Sequence, residues 1–330
     1  MEVIRETIII EETHDPLFRE RRPLFLDIET LGLQAARHMI YMIGTASISS
    51  ANTAELSLYF AENENEESAI LSAFEKKAAD CDTVITYNGT TFDLPFLAKR
   101  LKKYGLPDPC SQMSSLDLYR IVKKRKDLLH LPGCRQKDIE RFLDIERDDE
   151  KSGKELIDIY KQYEKQPTAA AHDLLIGHNS DDVRGMLLLL PILSYEALST
   201  VVLSSPGSEV DESENRYLLK AKMSITIPKP LRHRTDEYYL ILEDDTAKCA
   251  FPLYDDRNVR YYWDNPNDYV YLIKEKKAVP KSLARTIPKA EKRPALAKEC
   301  CTSVDVCDKT RPAEAFLCKY LEKLIRNLFR

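Results

Sequence analysis

The chain has 330 residues, 43% hydrophobic and 31% charged, long enough for two cores and too rich in apolar residues for wholesale disorder. Its formal net charge of −5 excludes a protein that coats nucleic acid by bulk positive charge, but not one that holds phosphates with local Lys and Arg. The longest nearly pure apolar run, Met186 to Leu193, is broken by Pro191 and is far short of the roughly 20 residues of a membrane span, so a buried helix segment and no membrane partner are expected.

Met1 to Pro23 mixes Glu and Arg through a short Ile run and lacks the basic flank and cleavage site of a secretory signal. Residues 1–22 read as an N-terminal extension, and a cytoplasmic location is the expectation. The eight cysteines fit it. Cys300, Cys301, Cys307 and Cys318 stand close in sequence but lack the paired two-residue gaps of common zinc sites, so reduced thiols are expected.

Leu24 to Ile28, Met39 to Ile48 and Ala54 to Phe60 are apolar and β-branched and predict three strands in an antiparallel meander. A helix from Glu64 to Ala79 follows, then a fourth strand, Thr83 to Tyr87, ended by the turn signal Asn88-Gly89. From about Pro95 to Leu198 apolar residues recur every three and four positions, predicting helices centred near 98, 120, 139, 158 and 186. The order predicts an α/β domain over 23–203 with a mixed sheet flanked by helices. Ser204 to Asn215, rich in Ser, Pro, Gly and acidic residues, reads as a linker. Short aromatic strands then predict a smaller β-rich domain over 216–330, closed by an amphipathic helix from Pro312 to Arg330.

Three elements carry chemistry. Asp27 and Glu29 lie one residue apart at the end of an apolar strand, so both point to one face. Two carboxylates in such a place repel one another, and a cation compensates them; the alternative is that one of them caps the following turn. Asp93 ends Asn88-Gly89-Thr90-Thr91-Phe92-Asp93 and is either a carboxylate delivered to the site at a helix start or an ordinary N-cap. His178 and Asp182, four apart, share a helical face. Asp181 is nearly as well placed, and a capping pair is the alternative reading.

Together these elements resemble the DnaQ-like, or DEDD, exonucleases, and among them the bacterial YprB-like ribonuclease H-like group. The resemblance spans about residues 23 to 198 and is carried by Asp27-Ile28-Glu29-Thr30, Asn88 to Asp93, Ser115-Leu116-Asp117-Leu118-Tyr119, Gln136-Lys137, Ser152-Gly153-Lys154-Glu155-Leu156 and His178-Asn179 through Asp182. It implies a ribonuclease H-like fold. It implies too that Asp27, Glu29, Asp93 and Asp182 are the metal ligands, and that His178 stands at the water-activating position. His178 departs from the family in spacing: it lies four residues before the last Asp, the separation that the family's Tyr-type enzymes use, while their His-type enzymes use five. Asp181 is the alternative ligand if the helix register differs. Oxygen donors of this kind suit two Mg²⁺ or Mn²⁺ ions. The implied activity is 3′ to 5′ hydrolysis of terminal phosphodiesters of DNA or RNA, with a single-stranded 3′ end as the expected nucleic-acid partner and nucleoside 5′-monophosphates as products. The alternatives are a non-catalytic nucleic-acid-binding or scaffolding protein of the same shape and a metal-dependent endonuclease.

Thr30, Asn88, Phe92 and Tyr119 are the expected substrate contacts, Phe92 and Tyr119 as bases' stacking partners, with Phe92 equally readable as a core residue. Lys99, Arg100, Lys102 and Lys103, and Lys123, Lys124, Arg125 and Lys126, are candidates for tracking the backbone or are solvated helix faces. In the second domain Tyr238, Tyr239, Tyr261, Tyr262, Trp263, Tyr269 and Tyr271 alternate with basic residues, as a single-strand surface or as packing.

Overall fold

The computed structural model describes residues 1–10, 21–50, 52–146, 153–307 and 313–330. These form two compact units, Met1–Leu193 and Ser194–Arg330.

The first unit is built on a six-stranded sheet of β1 (Glu2–Ile9), β2 (Pro23–Thr30), β3 (Ile40–Ser50), β4 (Thr53–Phe60), β5 (Thr83–Thr86) and β6 (Ser114–Asp117). Its order is β1-β4-β3-β2-β5-β6. The first four strands run antiparallel, while β2 pairs parallel with β5 and β5 with β6. This is a mixed sheet with β2 in its interior. Leu24, Phe25 and Leu26 are fully enclosed, as expected for a strand covered on both faces.

Helices α1 (Glu67–Ala78), α2 (Asp93–Lys103), α3 (Leu118–Arg125), α4 (Gln136–Phe142), α5 (Gly153–Lys165) and α6 (Ala169–Leu188) flank the sheet. Apolar residues at helical spacing, such as Ile70, Leu71 and Phe74 of α1 and Phe96, Leu97 and Leu101 of α2, join the strands in one core. The buried Glu67 is matched by the buried Arg100, whose Nε donates to Glu67 Oε1 at 2.6 Å while another guanidinium nitrogen bonds Oε2. The backbone N–H of Ile40 and the Tyr104 hydroxyl donate to the same carboxylate, both at 2.9 Å. Helical structure continues past α6 to residue 200, and by length and composition alone this stretch could cross a membrane. Yet 56% of its most apolar window is buried within the protein, and it is a core helix.

The second unit opens with the short helix α7 (Ser194–Ala197). An antiparallel sheet follows, made of β7 (Leu203–Asp211), β8 (Arg216–Met223), β9 (Leu231–Arg234), β10 (Tyr239–Glu243) and β11 (Thr246–Pro252) in the order β7-β8-β11-β10-β9. Strands β12 (Asn258–Tyr262) and β16 (Cys301–Asp305) pair with each other, and β13 (Tyr269–Leu272) pairs with both β14 (Lys277–Pro280) and β15 (Lys292–Pro294). Helix α8 (Ala313–Leu328) sets Tyr320 against Phe251 and Tyr261.

Three boundaries differ from the sequence reading. The expected extension over 1–22 contains β1, an edge strand registered along the whole of β4; residues 11–20 lie outside the described residues. The expected linker over 204–215 is mostly β7, whose register along β8 shifts between Ser204 and Gly207 to pass Pro206. Its residues are almost all exposed, so an edge strand with little to bury carries a linker's composition. Residues 114–117, inside the stretch read as helical, form β6.

Candidate active site

Strand β2 presents Asp27 and Glu29 on one face, with Ile28 between them buried on the other. The register between β2 and β3 shifts between Glu29 and Thr30, a local irregularity of the kind that re-aims a side chain beside a site. Opposite Asp27 in β3 stands Gly44. A Cβ there would meet Asn179 Oδ1 of α6 at 2.1 Å and Val183 Cγ2 at 2.7 Å. The bare glycine lets α6 lie directly on the strand pair, and Asn179 Nδ2 donates to Asp27 Oδ2 at 2.6 Å.

One turn of α6 places His178 and Asp182 beside Glu29. His178 Nε2 is 3.4 Å from Glu29 Oε1 and 3.3 Å from Asp182 Oδ2, and one ligand atom from each of the three lies within 4.8 Å of the others. Asp181 is not in that grouping. The Tyr41 hydroxyl donates to the other Glu29 oxygen at 3.5 Å.

Asp93, the first residue of α2, reaches back to β2 and accepts from the Ile28 N–H at 3.2 Å through Oδ1. Burial pushes its carboxyl up to about 7, with Asp117 and Asp182 adding repulsion against the Ile28 hydrogen bond. Asp27 is also raised well above the ordinary range, first by burial, then by the charges of Asp182, Asp93 and Glu29, with the Asn179 bond opposing. Among the described residues no Lys or Arg pairs with Asp27 or Asp93. Several carboxylates converging in a desolvated place, with the His178 imidazole beside Glu29 and Asp182, are a fit for a divalent cation with a preference for oxygen donors. Asp27, Glu29, Asp93 and Asp182 are the residues that could hold it.

The approach to Asp93 is held by Asp117 at the end of β6. Its carboxylate accepts from the Asn88 N–H at 2.7 Å, the Thr90 N–H at 3.2 Å, the Thr90 hydroxyl at 2.5 Å and the Tyr119 N–H at 3.1 Å. Asn88 adopts a left-handed φ of 66°, which Asn tolerates better than most residues. Gly89 then crosses close over Thr86, where a Cβ would stand 2.6 Å from the Thr86 Cβ. Asp117 and Asn179 stand within the sequence motifs, but no local pattern assigns them a role; each sits beside a ligand candidate, and only the packing reveals what it touches. Gln136 contributes likewise, donating to the Asp182 carbonyl and to Glu140 Oε1, both at 2.9 Å.

The expected substrate contacts are dispersed around this centre. The Thr30 hydroxyl donates to the Gly32 carbonyl at 3.0 Å, Asn88 Oδ1 accepts from Thr91, and the Phe92 ring lies 5.4 Å from that of Phe96. Tyr119 meets Tyr87 edge-on at 6.2 Å, with Lys123 Nζ 5.7 Å from its ring. Arg100 and Arg125 are corrections: both are buried, Arg100 against Glu67, and neither offers a surface charge to a phosphate. Ser152 lies outside the described residues.

Residues 24–194 match the family model described as the RNase_H superfamily. A DNA polymerase of Pyrococcus glycovorans is 36% identical over 104 residues, which cover 29% of this chain and only 13% of that protein. The family B DNA polymerase of Pyrobaculum calidifontis overlays with a TM-score of 0.45 at 17% identity, over 54% of this chain and 25% of that one. E. coli ExoI in its zinc-bound complex with single-stranded DNA gives 0.35 at 12% identity over 94% and 71%. Brucella melitensis NrnC bound to pGG gives 0.36 at 15% identity over 55% and 77%. The chain therefore spans a small part of the polymerases it resembles, and overlays this loose say nothing of its substrate. With more than half of its residues matched by the family model, the chain belongs to the ribonuclease H superfamily.

Proposed function

We propose that the protein is a metal-dependent 3′ to 5′ exonuclease of the DEDD type, in the YprB-like group, that hydrolyses the terminal phosphodiester of DNA or RNA. The observation that carries this reading is the convergence of Asp27, Glu29, Asp93 and Asp182 with His178 from β2, α2 and α6. Two Mg²⁺ or Mn²⁺ ions at the four carboxylates would supply Lewis-acid activation of water and charge for the departing 3′ oxygen.

The protein's own part is to orient and to move a proton. Asn179 fixes one oxygen of Asp27, the Ile28 N–H fixes one of Asp93, and Tyr41 contacts Glu29. His178 Nε2, 3.4 Å from Glu29 Oε1 and 3.3 Å from Asp182 Oδ2, is the group that would take the proton of the attacking water. Thr30, Asn88, Phe92 and Tyr119 would line the path of the terminal nucleotides. Eight free thiols suit a reducing compartment such as the cytoplasm.

The test is hydrolysis of 5′-labelled DNA and RNA oligonucleotides with free or blocked 3′ ends, in Mg²⁺ and in Mn²⁺. Stepwise shortening from free 3′ ends is expected, with Asp27→Asn or EDTA lowering the rate at least a hundredfold. Internal cuts in the 3′-blocked strand would replace this reading by an endonuclease, and hydrolysis that survives EDTA would end it.

A further inference from the structure

The second unit contains an open cleft of about 490 Å³ between β13 and β15 and the segments beside them. Lys281, Lys289, Lys292 and Arg293 line it, with Tyr269 in the wall, and among the described residues no carboxylate does. Arg293 is already committed: its two terminal nitrogens bond both oxygens of Glu299 at 2.8 and 2.6 Å, and its guanidinium carbon stands 4.2 Å from the centroid of the Tyr271 ring. Lys281 and Lys289 are not, and Lys292 is committed only to a neutral carbonyl. Lys292 Nζ donates to the Ala284 carbonyl, Lys281 and Lys289 are exposed, and none of the three forms an ion pair among the described residues.

Nearby carboxylates are occupied elsewhere. Glu291 pairs with Lys274 at 3.1 Å, and Asp268 accepts from Asn265 at 2.7 Å. Three uncompensated cations held in one concavity repel each other and are balanced by an anion carrying several charges. Tyr269 is half-buried and braced by Trp263, with ring centroids 4.7 Å apart and Trp263 Nε1 bonded to Thr302. A fixed aromatic beside unpaired lysines is the combination that holds a base by its face and a backbone by its phosphates. The volume lies within the range of pockets that take a molecule the size of a nucleotide.

We propose that this cleft binds single-stranded nucleic acid, with Tyr269 stacking one base and Lys281, Lys289 and Lys292 meeting successive phosphates. The choice of nucleic acid over other polyanions rests on the nuclease reading of the first unit; the cationic cleft does not.

The experiment is fluorescence anisotropy of the full-length protein in EDTA with a 20-nucleotide single strand over a series of salt concentrations. Binding is expected to weaken with salt, and Lys281→Gln with Lys289→Gln to lower the slope of log affinity against log salt by about 1.4, two phosphates' worth. Tyr269→Ala is expected to weaken binding about fivefold or more with the slope unchanged. Both lysines are exposed, so a melting curve matching the parent keeps the first variant interpretable if Tyr269→Ala unfolds. An unchanged slope and affinity in the lysine variant overturn the proposal. So does a poly-glutamate peptide of equal charge that competes as well as the oligonucleotide. Hydrolysis of a dinucleotide by the lysine variant is expected to match the parent. If the parent hydrolyses no strand at all yet the lysine effect on binding is seen, the nuclease reading has failed and the cleft assignment stands.

Discussion

Asn179 and Gly44 share a few ångströms behind Asp27, and their relation can be measured. Gly44→Ala would force its new methyl against Asn179 Oδ1 and Val183, costing about 1–3 kcal/mol as other overpacked sites do and lifting Asn179 from Asp27. Adding Asn179→Ala should restore part of that stability, so that the double variant is more stable than the two single losses predict; simple additivity in urea unfolding would refute the contact. Asp93 makes a second prediction. Its carboxyl is raised to about 7 by burial, from about 4 in the unfolded chain, so the folded protein holds this proton more tightly. Stability without metal is fullest below pH 4 on this account and is lost as pH rises through 7. In EDTA the contribution of Asp93 should therefore fall between pH 5 and pH 7.5, a fall that Asp93→Asn removes. Mn²⁺, which needs the ionised form, should raise the melting temperature more at pH 8 than at pH 5.5. A parent and variant with the same pH profile would contradict it. The acidic pair Asp27 and Glu29 stood out in the sequence because two carboxylates on one face of an apolar strand are costly to bury, while Asp93 and Asp182 were singled out through the resemblance. Asp117, Asn179 and Gly44 were not, because their roles are contacts across 27 to 152 residues of chain, which no local pattern records.

At the scale of elements, α2 does two things: its first residue supplies Asp93 and its Arg100 ties it to α1 and β3. The Glu67 carboxylate serves Arg100, Tyr104 and the Ile40 N–H together. Arg100→Leu leaves that carboxylate buried and without its cation, at a cost of about 3–5 kcal/mol. Chemical denaturation should show a loss of that size, and a change under 1 kcal/mol would mean that the pair is dispensable. The strands β2 to β5 and the helices were legible because apolar periodicity is strong where an element is half-buried or wholly buried. The elements misread share a physical reason. Strands β1 and β7 lie at sheet edges with mainly exposed residues, and β6 is four residues long. None has enough buried surface to impress a pattern on its sequence.

For the molecule as a whole, the edge formed by β1 has a practical consequence in solution. Strand β4 is apolar and buried over most of its length, and one of its two hydrogen-bonding sides is covered only by β1. Strand β1 carries Arg5 and Glu6 at exposed positions and a half-buried Glu2, the charged edge that discourages pairing between molecules. Removing residues 1–10 would uncover an unpaired eight-residue edge that carries Ala54, Leu56, Leu58, Tyr59 and Phe60. The shortened protein is expected to elute as dimers and larger species in size-exclusion chromatography with light scattering, where the full chain keeps its own size; a monomeric product of unchanged melting temperature would show that β1 is ornamental. A segment that read as an appendage would then be what keeps the nuclease-like unit from polymerising through its own sheet.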